Sequence, residues 1–242
     1  MADERKTTVE FFSHFSREDK PTKAGAWLSR ASARAIFKYI NVVPGSSILE
    51  IGPGRGDFAD ICLARGLEYL AVEASEEMAG ALEKRGARTI RAMAPPLPRI
   101  ESQFDFVLMI NVMEHMNSMQ DALQITREIK EVLKPGGRFV ICSPDYLNWR
   151  AHFFNCDFSH NYVTTARRLR QLMINGGLKN VRSRHFSVLL TGFVCFPFTG
   201  LVSYLPFGFL HTIFPNSRAF YKLYKIQLTF LRKVLAIGEN HG

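Results

Sequence analysis

The run Ile48-Leu49-Glu50-Ile51-Gly52-Pro53-Gly54-Arg55-Gly56 sets the terms for the whole chain. A short apolar segment ends in glycines at alternate positions, and glycine enters left-handed backbone conformations without the steric cost of a Cβ. The backbone can then approach a ligand closely, and a helix that follows turns its free N–H groups towards that ligand. The dinucleotide fingerprint G-x-G-x-x-G would need its third glycine at Asp57. Here that glycine comes early, at Gly56, which argues against a pyrophosphate-binding dehydrogenase site. An acid, Glu73, closes the next strand-like segment, where a ribose diol can donate hydrogen bonds to it.

Strand-like and helix-like segments alternate around this turn. Strands are expected over 47–51, 69–72, 89–92, 104–110, 138–143 and 181–190, and helices over 58–65, 75–85, 119–133 and 164–174. Ser75 can cap the second of these helices, and Gly66, Lys134-Pro135-Gly136-Gly137 and Gly176-Gly177 follow helix ends. An earlier helix over 25–40 carries Trp27, Leu28, Ala31, Ala35, Ile36 and Tyr39 at intervals of three and four. The alternation predicts an α/β fold, Rossmann-like, with a mostly parallel sheet and helices on both faces. The length of 242 residues accommodates one sizeable domain with an appended element. The expected division is an N-terminal helical cap on the substrate side over 1–32, a core over 33–190, and an apolar, basic C-terminal region over 191–242.

Three blocks in this order carry a family resemblance. The glycine run resembles motif I of class I S-adenosylmethionine-dependent methyltransferases, and Glu73 matches their second acidic position. The stretch from Phe104 through Asn111-Val112-Met113-Glu114-His115 is similar to their fourth-strand block. Leu133-Lys134-Pro135-Gly136-Gly137-Arg138 is similar to their turn into the fifth strand. The resemblance covers roughly residues 33–184. It implies a seven-stranded sheet whose last strand runs antiparallel, with S-adenosylmethionine as methyl donor and S-adenosylhomocysteine as product. By the resemblance, Gly52, Pro53, Gly54 and Gly56 approach the methionine moiety, and Glu50 supports the turn. Glu73 holds the ribose, Ala74 flanks the adenine, and Met93 and Ala94 stand at the adenine edge through backbone groups. Asn111 and Val112 end the fourth strand beside the sulfonium.

Methyl transfer from a sulfonium is an in-line displacement, so position and desolvation carry much of the barrier. A base is needed only where the nucleophile is protonated, and no metal is required. His115 and His160 are the candidate bases. His115 follows the fourth strand within a Glu-His pair that has a structural reading as well. His160 lies in Asp157-Phe158-Ser159-His160-Asn161-Tyr162, a stretch similar to the Asp-x-x-His segment of many small-molecule methyltransferases of this class. Tyr146 and Tyr162 either line the acceptor pocket or pack.

The acceptor is read from composition and from what is missing. Nucleic-acid amino methyltransferases of this fold carry Asn/Asp-Pro-Pro-aromatic after the fourth strand, where this chain has Asn111-Val112-Met113-Glu114. That disfavours nucleic acid without excluding it, since the net charge of +9 suits anionic partners. From 186 to 217 there is no Asp, Glu, Lys or Arg, but Gly192, Pro197, Gly200, Pro206, Gly208 and Pro215 interrupt the stretch. An amphipathic helix is expected over 218–237. Such a region suits an anionic membrane surface or a lipid-like tunnel, or else a lid or homodimer interface. The first expectation is thus O-methylation of a small or lipid-linked acceptor, such as a glycan or isoprenoid, by a cytoplasmic enzyme that is soluble or peripherally membrane-bound. A nucleic-acid or protein methyltransferase and a non-catalytic cofactor-binding module stay open beside it.

Overall fold

The computed structural model describes residues 22–188 and 190–242. At its centre β1 (Ser47–Ile51) is buried along its whole length, because helices cover both faces of the sheet. Its side chains alternate between two cores, Leu49 and Ile51 on one side and Ile48 on the other. The flanking strands β2 (Glu68–Glu73) and β4 (Phe104–Ile110) pair with it in parallel. Outside them lie β3 (Arg88–Arg91) and β5 (Leu133–Pro144), also parallel. The sheet is completed by β6 (Lys179–Ser187), β7 (Leu190–Thr191) and β8 (Lys233–Glu239) in the order β3-β2-β1-β4-β5-β8-β6-β7. The strand β8 runs antiparallel to both of its neighbours, β5 and β6. This is the mostly parallel α/β sheet expected from the alternation, with the short β7 as an eighth strand on the edge.

One face is covered by α1 (Lys23–Ile40), α2 (Asp57–Ala64) and α3 (Glu76–Glu83), through Ile36, Phe37, Phe58, Cys62 and Leu82. The other is covered by α4 (Met119–Glu131) and α7 (Ala166–Asn175), through Ile125, Ile129, Leu169 and Met173. Ser75, Ser118 and Thr165 accept backbone N–H groups in the first turns of α3, α4 and α7, satisfying donors that a helix leaves unpaired. The helix α1 crosses the expected boundary at 32/33 without a break. Residues 1–21 lie outside the described residues, including the Phe11, Phe12 and Phe15 cluster of the polar opening.

Two expectations are corrected. The helix expected over 218–237 is α10 (Arg218–Phe230) only, and the remainder is β8. Val234 and Ala236 face one core while Leu235 and Ile237 face the other. A contiguous apolar run satisfies helical spacing too, but burial on both faces of a sheet is what such a run serves here. The region 191–242 therefore returns into the core. The turn Lys134-Pro135-Gly136-Gly137 lies inside β5 as a register shift against β4 rather than before the strand. A Cβ on Gly137 would stand 2.8 Å from the carbonyl oxygen of Phe104.

Short helices α5 (Tyr146–Trp149) and α6 (His152–Asn155) follow β5. Between β7 and β8 the chain leaves the sheet for α8 (Cys195–Ser203), α9 (Phe207–Ile213) and α10. Trp149, Phe153, Val202 and Leu231 form a small third core joining α5 and α6 to this excursion. An ion pair at its base, Arg232 to Asp145 at 2.7 Å, is almost wholly buried. The indole Nε1 of Trp149 donates to the Arg232 carbonyl at 2.7 Å.

Candidate active site

In parallel pairing, Ile51 lies beside Val72 and Met109. The residues that follow these positions therefore emerge together at one edge of the sheet, the carboxyl edge, where open α/β sheets bind ligands. Gly52, Glu73 and Asn111 are thereby brought together from separate parts of the sequence.

The glycine turn is built as its spacing predicts. Gly52, Gly54 and Gly56 have φ of 64°, 55° and 78°, in the left-handed region. A Cβ on Gly52 would stand 2.7 Å from Val112 Cγ2, so Val112 packs against the bare backbone there. The Gly54 N–H donates to Glu73 Oε2 at 3.0 Å, and the Ser75 N–H donates to Oε1 at 2.9 Å. The carboxylate thus ties the first loop to the second. Burial raises the Glu73 pKa, and these N–H bonds pull it back. Ala74 lies half-buried between Glu73 and Ser75. Behind the turn, Arg85 donates to the Arg55 carbonyl at 2.8 Å and pairs with Asp60 at 2.7 Å.

Glu50 faces the α1–α2 side, where the Tyr69 hydroxyl donates to its Oε2 at 2.6 Å. Burial first, and then the neighbouring acids, push its carboxyl up to about 7, against the hydrogen bond from Tyr69. Its recorded partner is thus the neighbouring strand. Met93 and Ala94 follow β3 half-buried, and the Ala92 N–H donates to the Glu73 carbonyl at 3.2 Å. Asn111 has φ 53° and accepts at Oδ1 from the Lys233 ammonium at 2.9 Å. The sequence does not point to Lys233 as a partner of Asn111, because its segment predicts helix where the structure has β8.

Beyond β4 and β5, His115 and His160 stand with ring centroids 4.9 Å apart, edge to face. Glu114 is 1% exposed and accepts the Ser143 hydroxyl at 2.6 Å. Ligand-type atoms of Glu114, His115 and His160 all lie within 4.8 Å of one another. The Ser159 hydroxyl gives its proton to Asp157 Oδ1 at 2.6 Å, so at 2.8 Å it accepts from His115 Nδ1. His160 Nδ1 lies 2.6 Å from the Phe153 carbonyl, which fixes its proton there and leaves Nε2 as the basic nitrogen. Desolvation holds both imidazoles below their usual range and raises Glu114. Two histidines and a carboxylate could also hold a divalent ion, although the Lys233 charge already acts on Glu114.

Tyr162 is 5% exposed and packs in the main core, with the Arg168 guanidinium 4.8 Å over its ring. Tyr146 begins α5 and meets Phe153 and Phe154 edge-on.

Sheet order and the glycine turn at its switch point define the class: this is the Rossmann-like fold of the class I S-adenosylmethionine-dependent methyltransferases. The methyltransferase domain family matches residues 16–183, and the chain belongs to that family. An uncharacterised methyltransferase of Mycobacterium sp. (strain JLS) is 34% identical over 111 residues, covering 45% of this chain and 42% of the relative. The chain spans about half the length of the curated relatives it matches. Among solved structures, a putative methyltransferase of Haloferax volcanii, in complex with the activator Trm112, superposes with TM-score 0.67 at 17% identity over 96% of this chain and 98% of that one. Phosphoethanolamine N-methyltransferase 2 of Haemonchus contortus, in complex with S-adenosylmethionine, gives 0.63 at 16% identity over 95% and 59%. At such identities the likeness is one of fold.

Proposed function

We propose that the chain is an S-adenosylmethionine-dependent methyltransferase that O-methylates a small or lipid-linked acceptor, of glycan or isoprenoid kind, in the cytoplasm or at a membrane surface. The observation that carries this reading is the convergence, at one sheet edge, of the glycine turn and Glu73 with half-buried His115 and buried His160. The donor half fits the cofactor: positive-φ glycines expose backbone to a ligand, and Glu73 is a buried carboxylate at the ribose position. When bound, the cofactor supplies a methyl group already activated on a sulfonium. Gly52, Pro53, Gly54 and Gly56 would approach its methionine part, with Ala74, Met93 and Ala94 around the adenine. Asn111 and Val112, just past the end of β4, would stand beside the reacting centre.

The residues on the other side would orient the acceptor and take its proton. His160 Nε2 is the favoured base, because burial keeps the ring neutral at pH 7 and Phe153 fixes the tautomer. Glu114 faces the charge that forms on His160, and His115 adjoins as a second proton carrier. Calorimetry with S-adenosylhomocysteine on the native chain and on Glu73→Ala tests the donor half. No binding by the native chain would overturn the enzyme reading. Binding without turnover on hydroxylated lipids, glycans or small phenols would instead favour a non-catalytic cofactor-binding module.

A further inference from the structure

The excursion between β7 and β8 carries a surface that the chain's own core does not use. Within Gly192–Ile213 a window of mean hydropathy 1.6 is only 28% buried. Phe193 is 93% exposed, Leu201 72%, Tyr204 68% and Phe209 67%. A core helix would bury such residues, and a lid packed on the sheet would cover them. The segment is not one rod either. It breaks at Tyr204–Pro206 into α8 and α9, of 9 and 7 residues. At about 1.5 Å per residue, neither approaches the roughly 30 Å of a bilayer's hydrocarbon core.

Charge narrows the partner. Every Asp, Glu, Lys or Arg between Asp157 and Glu239 is basic. Arg218, Lys222 and Lys225 lie on α10, which packs against both α8 and α9. Arg150 stacks on Tyr204 at 4.3 Å and donates to its hydroxyl at 2.6 Å, and Lys225 stands 5.1 Å over Tyr221. Cations stacked on aromatic rings beside an apolar patch suit the boundary between headgroups and acyl chains. A second copy seated on this face by a twofold axis would bring the two basic rims together.

The patch is continuous with the acceptor side. Val202 of α8 shares the third core with Trp149 and Phe153. The Phe153 carbonyl holds His160, and its ring lies 4.8 Å from the imidazole. Leu147, Phe154 and Phe158, in and after the short helices that follow β5, are 68%, 51% and 75% exposed.

We propose that α8 and α9 form a foot that lies in the interface of an anionic phospholipid bilayer and brings the acceptor mouth onto it. The acceptor is then an amphiphile taken from that bilayer, a conclusion that rests on the methyltransferase reading above. The foot itself does not depend on it.

The test is flotation of the full chain with vesicles of phosphatidylcholine alone and with added phosphatidylglycerol, at low and high salt. The chain should float with the anionic vesicles, less so at high salt, and scarcely with the neutral ones. Phe193→Ser, Leu201→Ser and Phe209→Ser together should reduce binding roughly tenfold or more. Arg218→Gln, Lys222→Gln and Lys225→Gln together should reduce anionic selectivity by a similar factor. S-adenosylhomocysteine affinity should be unchanged in both. Absence of flotation with anionic vesicles, equal binding to both vesicle types, or full binding by both triple variants would overturn the foot. So would a native dimer that the serine variant converts to monomer in light scattering. If the serine variant loses cofactor affinity as well, the glutamine variant decides alone. Flotation without cofactor binding by the native chain would keep the foot and remove the methyltransferase reading.

Discussion

The proposed donor and acceptor halves of the site are built on different principles. The donor half, β1 to β3 with their loops, uses backbone: positive-φ glycines, N–H groups of Gly54 and Ser75, and one carboxylate that binds them. Apart from Asn111 and Val112 just past β4, all of it lies within residues 47–94. The proposed acceptor half uses side chains from three distant stretches, Glu114 with His115, Asp157 to Tyr162, and Lys233. A constant ligand can be held by backbone, which substitution changes little. A varied acceptor calls for side chains, and for an excursion such as α8–α10 that can change without touching the sheet.

The largest expected effect separates the halves through stability. Arg232→Met would leave Asp145, 1% exposed, without its guanidinium, and should cost about 3–5 kcal/mol in urea unfolding. If the halves are energetically distinct, cofactor affinity measured under native conditions is preserved. Next, Glu73→Ala removes the carboxylate that accepts from the Gly54 and Ser75 N–H groups and that is proposed to hold the ribose. It should weaken S-adenosylhomocysteine binding by about a hundredfold, near 3 kcal/mol for charge-assisted bonds. His160→Gln should leave that binding intact while lowering turnover by roughly 10²–10⁴. Equal loss of binding in both variants would erase the division.

Glu50 gives a pH signature to the donor half. Its carboxyl ionises near 4.5 when exposed but near 7 in the fold. Across that window the native state keeps a proton that the unfolded chain releases, so stability falls as pH rises from about 4.5 to 7. The Glu50→Gln variant retains an acceptor for Tyr69 and should not show the fall. Above pH 7 it should be the more stable by about 3 kcal/mol in thermal or urea unfolding. The smallest effect is Gly52→Ala. Its left-handed φ and the contact with Val112 should cost about 1–2 kcal/mol, seen as weaker cofactor binding in calorimetry.

The difference between the halves also governs what the sequence disclosed. The turn was legible because glycine spacing encodes backbone shape directly, and Glu73 because the end of β2 follows the turn by one helix. His115 and His160 were each visible as types, but their 4.9 Å approach depends on two loops meeting at the sheet edge. Glu114 was visible only as half of a Glu-His pair, and its burial between Ser143 and the histidines came from the fold. Strand β8 was missed because Val234-Leu235-Ala236-Ile237 is uniformly apolar, which carries no period to read. Lys233 and its bond to Asn111 were missed with it.

The position of β8 also bears on how the molecule is made. It is synthesised after the other seven strands of the described sheet, yet it lies between β5 and β6. Until it emerges from the ribosome, both of those strands present unpaired edges, and the two parts of the sheet have no hydrogen-bonded ladder between them. A nascent chain in that state is open to chaperones and to mispairing with its neighbours. The glycine turn and Glu73 lie on strands made before this closure, whereas the Lys233 contact with Asn111 can form only after it.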